Sequence, residues 1–348
     1  MSLRLKFRHM RRALKRPFAI SRGVRTHADT LVVTLVDAAG RCGRGEAVPY
    51  ARLGESMDDA LSALAALAKT LPDDLDFADI AALSRLKSVR TALDCALHDL
   101  RARQEGRAVW QRLGLPRPKA TMTASTISLD TPKAMAAQAA EQAGQPLLKI
   151  KLGGPDGAEG DLARLAAVRR AAPRARLIVD ANEGWAARDL KPLLEACADH
   201  GVEMVEQPLP AGEDAALAEM KRPVPVIADE SVHDVHDLPR IAGLYDGVNV
   251  KLDKAGGLTP ALALARAARD EGLSVMIGCM LASSLAMAPA FLLAPFAQWV
   301  DLDGPLWIAE DEEPPMRIES GIISPPSSTL WGGADAPDAA ATGQAEGP

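Results

Sequence analysis

Between Leu147 and Asp303 the chain repeatedly sets a charged residue just after a short apolar run. Lys149 and Lys151 stand in LLKIKLG, Asp180 in LIVDAN and Glu206 in EMVEQP. Asp229 follows in VPVIADE, Lys251 in GVNVKLD, and Asp301 and Asp303 in VDLDG. From 151 to 180, 206, 229 and 251 the gaps are 29, 26, 23 and 22 residues, each long enough for one helix and two loops. If every run is a strand of one parallel barrel, three carboxylates and two lysines meet at one mouth. Asp180, Glu206 and Asp229 then have the chemistry of a hard-cation site, and all-oxygen ligands suit Mg²⁺. No histidine joins them and no cysteines have zinc spacing. An acid at a strand end is also a common helix cap or solvated loop residue. The metal reading therefore rests on three acids at matched ends, with lysines on the strands before and after. Asn182 and Glu230, close behind two of the ligands, are candidates to support them.

The lysines suggest what such a metal is for. Lys151 and Lys251 end strands on opposite sides of the carboxylate trio. A lysine near a divalent cation in a partly desolvated pocket is expected to have a lowered pKa, making it a base near neutral pH. Mg²⁺ can hold a substrate carboxylate and neutralise the charge that appears when the neighbouring α-carbon loses its proton. One lysine then removes that proton and the other returns one to the opposite face, giving the epimer. Lys149 shares a strand face with Lys151 at the next level and could steady the substrate carboxylate; a solvated strand-end lysine is the plainer alternative.

These residues need a scaffold, and the rest of the chain supplies its outline. A chain of 348 residues holds one large barrel and a smaller domain, and 48% hydrophobic residues suffice for a sizeable core. The net charge of -6 predicts no broad nucleic-acid or anionic-membrane surface. The basic N-terminus lacks the apolar stretch of a secretory signal, SVMIGCMLASSLAMAPAFLLAPF reads as a buried strand and helix, and the four scattered cysteines read as free thiols. Together they predict a cytoplasmic protein with no membrane span. Residues 1–118 read as an α+β capping domain, an antiparallel sheet followed by Ala- and Leu-rich helices. Residues 119–304 alternate strand and helix, with strands expected at 121–126, 147–151, 177–180, 203–206, 225–228, 247–251, 274–278 and 299–302. Helices are expected at 132–143, 157–171, 186–200, 213–221, 234–242 and 259–271. This is an α/β chain with a (β/α) barrel; no strand is followed by the GxGxxG of a dinucleotide fold. Residues 305–330 are expected to pack back on the cap, and 331–348 to be a disordered tail.

Taken together, LLKIKLG, VDAN, VEQP, ADES and NVKLDKAGGL resemble the enolase superfamily, within it the muconate-lactonising-type subgroup. PFAISRG, GRGEAVPYARLGES and ALDCALHDLRAR carry the likeness into the cap. The resemblance implies a modified TIM barrel, Mg²⁺ on Asp180, Glu206 and Asp229, and an acid/base pair of Lys151 and Lys251. Within the subgroup the chain most resembles dipeptide epimerases acting on L-Ala-D/L-Glu. Their acidic pair on the last strand matches Asp301 and Asp303, and there it receives the substrate ammonium group. Read alone, the same pair could cap a turn. Arg22 and Arg25, in ISRGVRTHAD, resemble residues near the substrate in glutamate-accepting members, and a guanidinium there could bind the glutamate side-chain carboxylate in a bidentate fork. Met280, in GCMLASS after the seventh strand, joins the expected substrate-binding set. Many members carry an acid near Leu281 or Ala282 that is missing here. The resemblance implies a small dipeptide partner, murein-peptide recycling and the option of a homo-oligomer. N-acylamino acid racemases, o-succinylbenzoate synthases and muconate-type cycloisomerases share the framework and stay open as alternatives, as does an idle barrel that only binds.

Overall fold

The computed structural model describes residues 3–218 and 220–333. The capping domain begins with an antiparallel sheet, β1 (Arg4–Ile20), β2 (Gly23–Val36) and β3 (Cys42–Ala47), in that order. Alternation decides its faces: Leu31, Val33 and Leu35 turn with Leu5 and Phe7 toward helices α1 (Met57–Thr70), α2 (Phe77–Leu83) and α3 (Lys87–Glu105), while Val32 joins the barrel-side core. The helix starts have side-chain caps. Ser56 accepts from Asp59 N, Asp76 from Ala78 N, and Glu55 from Lys87 N and Ser88 N. Gly45 lets α3 lie directly on β3, since a Cβ there would stand 2.8 Å from Ala96 N.

The barrel strands are β5 (Ser125–Ile127), β6 (Leu147–Lys151), β7 (Arg176–Asp180), β8 (Val202–Glu206), β9 (Val226–Ala228), β10 (Gly247–Val250), β11 (Ser274–Ile277) and β12 (Trp299–Val300). They pair in sequence order, all parallel. The two end strands meet where Ala124 N donates to Val300 O at 2.8 Å and Leu302 N to Thr123 Oγ1 at 2.9 Å. Outward residues such as Leu148, Ile150, Val179 and Val205 pack against the surrounding helices. Inward, Ala124, Leu147, Ile178, Met204, Ile227, Met276 and Trp299 form a separate apolar floor. Two residues further along the same strand faces stand Thr126, Lys149, Asp180, Glu206, Asp229, Gly278 and Asp301. Strand period alone thus carries the chain from floor to mouth.

Several elements depart from expectation. The expected helix 213–221 is only a 3₁₀ turn, Asp214–Leu217, because Ser231 Oγ and Tyr245 OH donate to the buried Asp214 carboxylate and pin the segment. Helix 186–200 regularises only over Leu190–Asp199, after a 3₁₀ turn, and 234–242 only over Leu238–Ile241. The first expected barrel strand splits, with β4 (Thr121–Met122) leaving it to pair with β14 (Ile322–Ile323), which also pairs with β13 (Ile318–Glu319), in a small antiparallel sheet. The 305–330 segment therefore serves the barrel base as well as the cap, where Glu312 receives Arg12 and Arg44. The expected tail starts too early: Trp331 is buried and donates to Arg44 O and Cys95 O at 3.0 and 3.1 Å. Residues 334–348 of that tail lie outside the described residues. No described helix is long and apolar enough to cross a membrane.

Candidate active site

At the C-terminal strand ends a cavity of about 510 Å³ opens between barrel and cap. Lys149, Lys151, Asn182, Asp229, Glu230, Lys251, Met280, Asp301 and Asp303 line it from the barrel, and Arg22, Arg25, Tyr50 and Arg52 from the cap. Lys151 Nζ donates to Asp180 Oδ2 at 2.5 Å, and Lys251 Nζ to Asp229 Oδ2 at 2.8 Å. Lys149 Nζ stands among three acids: 2.7 Å from Asp301 Oδ2, 2.7 Å from Glu206 Oε2 and 3.2 Å from Asp180 Oδ2. Asn249 Nδ2 donates to Glu206 Oε1 at 2.6 Å. Gly278 leaves room for this arrangement, since a Cβ there would lie 2.6 Å from Asn249 Oδ1 and 2.9 Å from Lys251 Cε. β6 and β10 are four strands apart in a ring of eight, so Lys151 and Lys251 do face each other across the carboxylates.

The carboxylates close on ammonium groups, and among the described residues no three such side chains are spaced to share a metal as they stand. Their chemistry still fits one. Asn182 Oδ1, Glu230 Oε2 and Asp301 Oδ1 are buried acceptors without a hydrogen-bond donor, while Glu206 Oε2 and Asp229 Oδ1 meet only the Lys149 and Lys254 ammonium groups, each at 2.7 Å. That surplus of oxygens suits a hard cation. The electrostatics agree. Burial and the neighbouring Asp180 push the Glu206 carboxyl up to about 7. Burial works the same way on Asp180 and Asp229, but lysines outweigh it and hold both below the usual carboxylate range: Lys151 and Lys149 at Asp180, Lys251 and Lys254 at Asp229. The lowered pKa expected of a lysine beside a divalent cation is a different case from Lys251 facing the acids alone. Burial does act to lower it, yet Asp229 and Glu206 prevail and raise the ammonium above its ordinary value. Lys149 is raised in the same way, with Asp301 the leading charge.

The backbone beyond the ligand candidates is unusual. Asn182, Glu183 and Gln207 adopt φ of 45°, 64° and 33°, the left-handed region that side chains rarely enter. Asn182 N donates to Asp180 Oδ1 at 2.9 Å, so the turn supports the carboxylate from behind. Gln207 Oε1 accepts from Asp229 N at 2.9 Å and Ser231 N at 3.1 Å, tying the end of β8 to that of β9. Glu183 receives Arg22 at 3.0 Å, Arg52, and Ala211 N at 2.8 Å, and so anchors two cap loops on the barrel.

The two cap arginines separate. Arg22, at the β1–β2 hairpin tip, donates to Asn182 O at 2.8 Å, Glu183 Oε2 at 3.0 Å and Glu230 Oε1 at 2.6 Å, so its guanidinium is committed to the barrel. Glu230 is thereby a cap anchor rather than a support for the neighbouring Asp229. Arg25 is exposed on the cavity wall beside Val24. Asp301 is neutralised by Lys149. Asp303 accepts from Thr126 N at 2.8 Å and Trp307 Nε1 at 3.2 Å, while burial and Asp301 push its carboxyl up to about 6. Glu183, Gln207, Asn249 and Lys254 were not singled out from sequence. Gln207 and Lys254 lie inside VEQP and NVKLDKAGGL, which mark the place but not the role.

Comparison with known proteins agrees with this geometry. The chain is 43% identical over 312 residues to the L-Ala-D/L-Glu epimerase of Escherichia coli (strain K12), covering 89% of this chain and 96% of that protein. It is 42% identical to the N-acetyl-D-glutamate racemase of a Pseudoalteromonas species, over 87% of this chain and 96% of that protein. Its fold matches, with a TM-score of 0.91 and 45% identity, an enolase family member from Agrobacterium tumefaciens described as homologous to dipeptide epimerases and holding sodium and L-Ala-L-Glu. That match covers 95% of this chain and all of the other. Residues 3–114 match the mandelate racemase / muconate lactonizing enzyme N-terminal domain, and residues 133–330 the enolase C-terminal domain-like family. The chain belongs to the enolase superfamily, in the family with a mandelate racemase / muconate lactonizing enzyme cap.

Proposed function

We propose that this protein is an isomerase: a Mg²⁺-dependent dipeptide epimerase that inverts the α-carbon of the second residue, with Ala-Glu as its leading substrate. The observation that carries the reading is the pair of opposed lysines, Lys151 and Lys251, across Asp180, Glu206 and Asp229. The three acids would hold the metal, which supplies positive charge to the substrate carboxylate as the α-proton leaves. Lys151 takes or returns that proton on one face and Lys251 on the other, and exchanging roles serves both stereoisomers. Lys149, surrounded by acids and held protonated, steadies the same substrate carboxylate. Asp301 and Asp303 receive the ammonium end, for which Asp301 Oδ1 keeps a free lone pair. Arg25, rather than the committed Arg22, receives a glutamate side chain. Met280 completes the wall. A bacterial cytoplasm and murein-peptide salvage fit this substrate.

A second reading is racemisation of an N-acylated glutamate. It is favoured by the 2.7 Å Lys149–Asp301 pair and by the two donors already on Asp303, which spare a neutral acyl group from facing a bare charge. One experiment separates the two: L,L-dipeptides and N-acetylglutamate incubated in deuterated water with Mg²⁺, followed by mass and chiral analysis. Deuterium entering the glutamate of Ala-Glu with inversion is the expected result, and turnover confined to N-acetylglutamate moves the assignment to the second reading. No exchange in any compound sinks both. Run on Arg25→Met, the same library should lose Ala-Glu selectively and keep dipeptides with an apolar second residue.

A further inference from the structure

Four lysines crowd this end of the barrel, but only three line the cavity. Lys149, Lys151 and Lys251 do; Lys254 does not, and it is 1% exposed. It sits on the short helical turn Leu252–Ala255 that follows β10. Gly256 and Gly257 end that turn with φ of 98° and 132°, and both donate back to Leu252 O. A Cβ on Gly257 would run into Asp94 of α3 at 2.5 Å, so the chain must reverse tightly here. The reversal leaves the Lys254 ammonium in a nest of oxygens. Its Nζ donates to Asp229 O, to Val232 O at 2.9 Å and to Asn249 O at 3.0 Å, and lies 2.7 Å from Asp229 Oδ1.

These partners are not scattered. Asp229 and Val232 belong to the loop leaving β9, and Asn249 stands two residues before Lys251 on β10. One buried charge thus ties a strand end carrying a metal-ligand candidate to the strand carrying a proton-transfer candidate. Lys251 faces Asp229 from the cavity side, at Oδ2, while Lys254 approaches Oδ1 from the sealed side. A cation that displaces Lys251 from Asp229 would leave Lys254 in place. Burying an ammonium is costly unless oxygens surround it, and here carbonyls of the loop leaving β9 and of β10 do so. A lysine used only to fill space would be better replaced by an apolar residue.

We infer that Lys254 is a positioning residue for the metal site: it fixes the orientation of the Asp229 carboxylate and its distance from Lys251, without touching substrate. The inference rests on the proposed function, in which Asp229 is a metal ligand. It is tested on the full-length protein with Lys254→Met, which keeps the length of the side chain and removes its charge. Mg²⁺ affinity is read by titration calorimetry, and carboxylate orientation by infrared difference spectra on Mg²⁺ addition to protein labelled with ¹³C-aspartate. Loss of a group that orients a ligand should weaken Mg²⁺ binding by about 10- to 100-fold and alter the carboxylate bands. A purely structural lysine would lower the melting temperature and leave both readouts unmoved. If Lys254→Met does not fold, Lys254→Arg and Lys254→Gln replace it. Positioning then requires affinity to fall from wild type to Arg to Gln, and wild-type affinity in any folded, uncharged variant overturns it. The two levels of failure are distinct. Wild-type protein that neither binds Mg²⁺ nor exchanges an α-proton refutes the proposed function. Wild-type protein that does both, beside an unaffected Lys254→Met, refutes only this inference.

Discussion

The floor and the mouth of the barrel are built on the same strands, two residues apart, and obey opposite rules. At the floor Leu147, Ile178, Met204, Ile227 and Met276 pack as an apolar cluster that drives folding. At the mouth Lys149, Asp180, Glu206 and Asp229 bring buried charges together, an arrangement that costs stability unless each is answered by its opposite. The difference shows why a charged mouth is affordable: the floor beneath it and the helices around it hold the strands in place whatever the mouth contains. It also shows why lysines flank the run of three acids around the ring. Asp180, Glu206 and Asp229 each meet a lysine, and burial still pushes Glu206 up to about 7.

If that division is real, damage to one layer should leave the other standing. Lys251→Met, at the mouth, should lower two-way epimerisation by about 100-fold or more, with the melting temperature nearly unchanged because Lys254 still answers Asp229. α-Proton exchange from a single stereoisomer should survive in deuterated water; full two-way epimerisation would break the two-base assignment. Met204→Ala, at the floor, should cost about 2–5 kcal/mol in urea unfolding while KM and Mg²⁺ affinity hold. A folded Met204→Ala protein with weakened metal binding would show that the layers are not independent. The smallest effect is expected at the seam between barrel and cap, where buried Asp253 accepts from Val48 N at 2.8 Å. Burial, with Glu46 and Glu55 adding to it, raises its carboxyl from 3.8 to about 7 against the pull of Val48 N–H. The folded chain therefore holds a proton there that the unfolded chain has released, and this group's contribution to stability falls as pH rises from about 4 to about 7. Asp253→Asn should accordingly gain in melting temperature over wild type at pH 8 more than at pH 5. An identical difference at both would place the charge in water.

How much of this could be read in the sequence follows from the range of the forces involved. Leu147, Lys149 and Lys151 share a face because strand period is local, and the mouth was legible for that reason. The helix expected at 213–221 was not, because its fate is decided by Ser231 and Tyr245 reaching Asp214 from later strands. Arg22 and Arg25 looked equivalent in ISRGVRTHAD. What separates them is Glu183 and Glu230, 161 and 208 residues from Arg22 in the chain. Lys254 lies within NVKLDKAGGL, yet only the turn at Gly256 and Gly257 reveals which way it points.

The two-residue step from floor to mouth also limits how such a chain can vary. A substitution alters one layer, whereas gaining or losing one residue inside a strand turns everything beyond it to the opposite face. A deletion ahead of Ile178 in β7 would carry Asp180 out of the mouth in the same stroke as it emptied the floor. Length changes are therefore confined to the stretches between strands, and the unequal intervals of 29, 26, 23 and 22 residues from Lys151 to Lys251 are the form that such freedom takes.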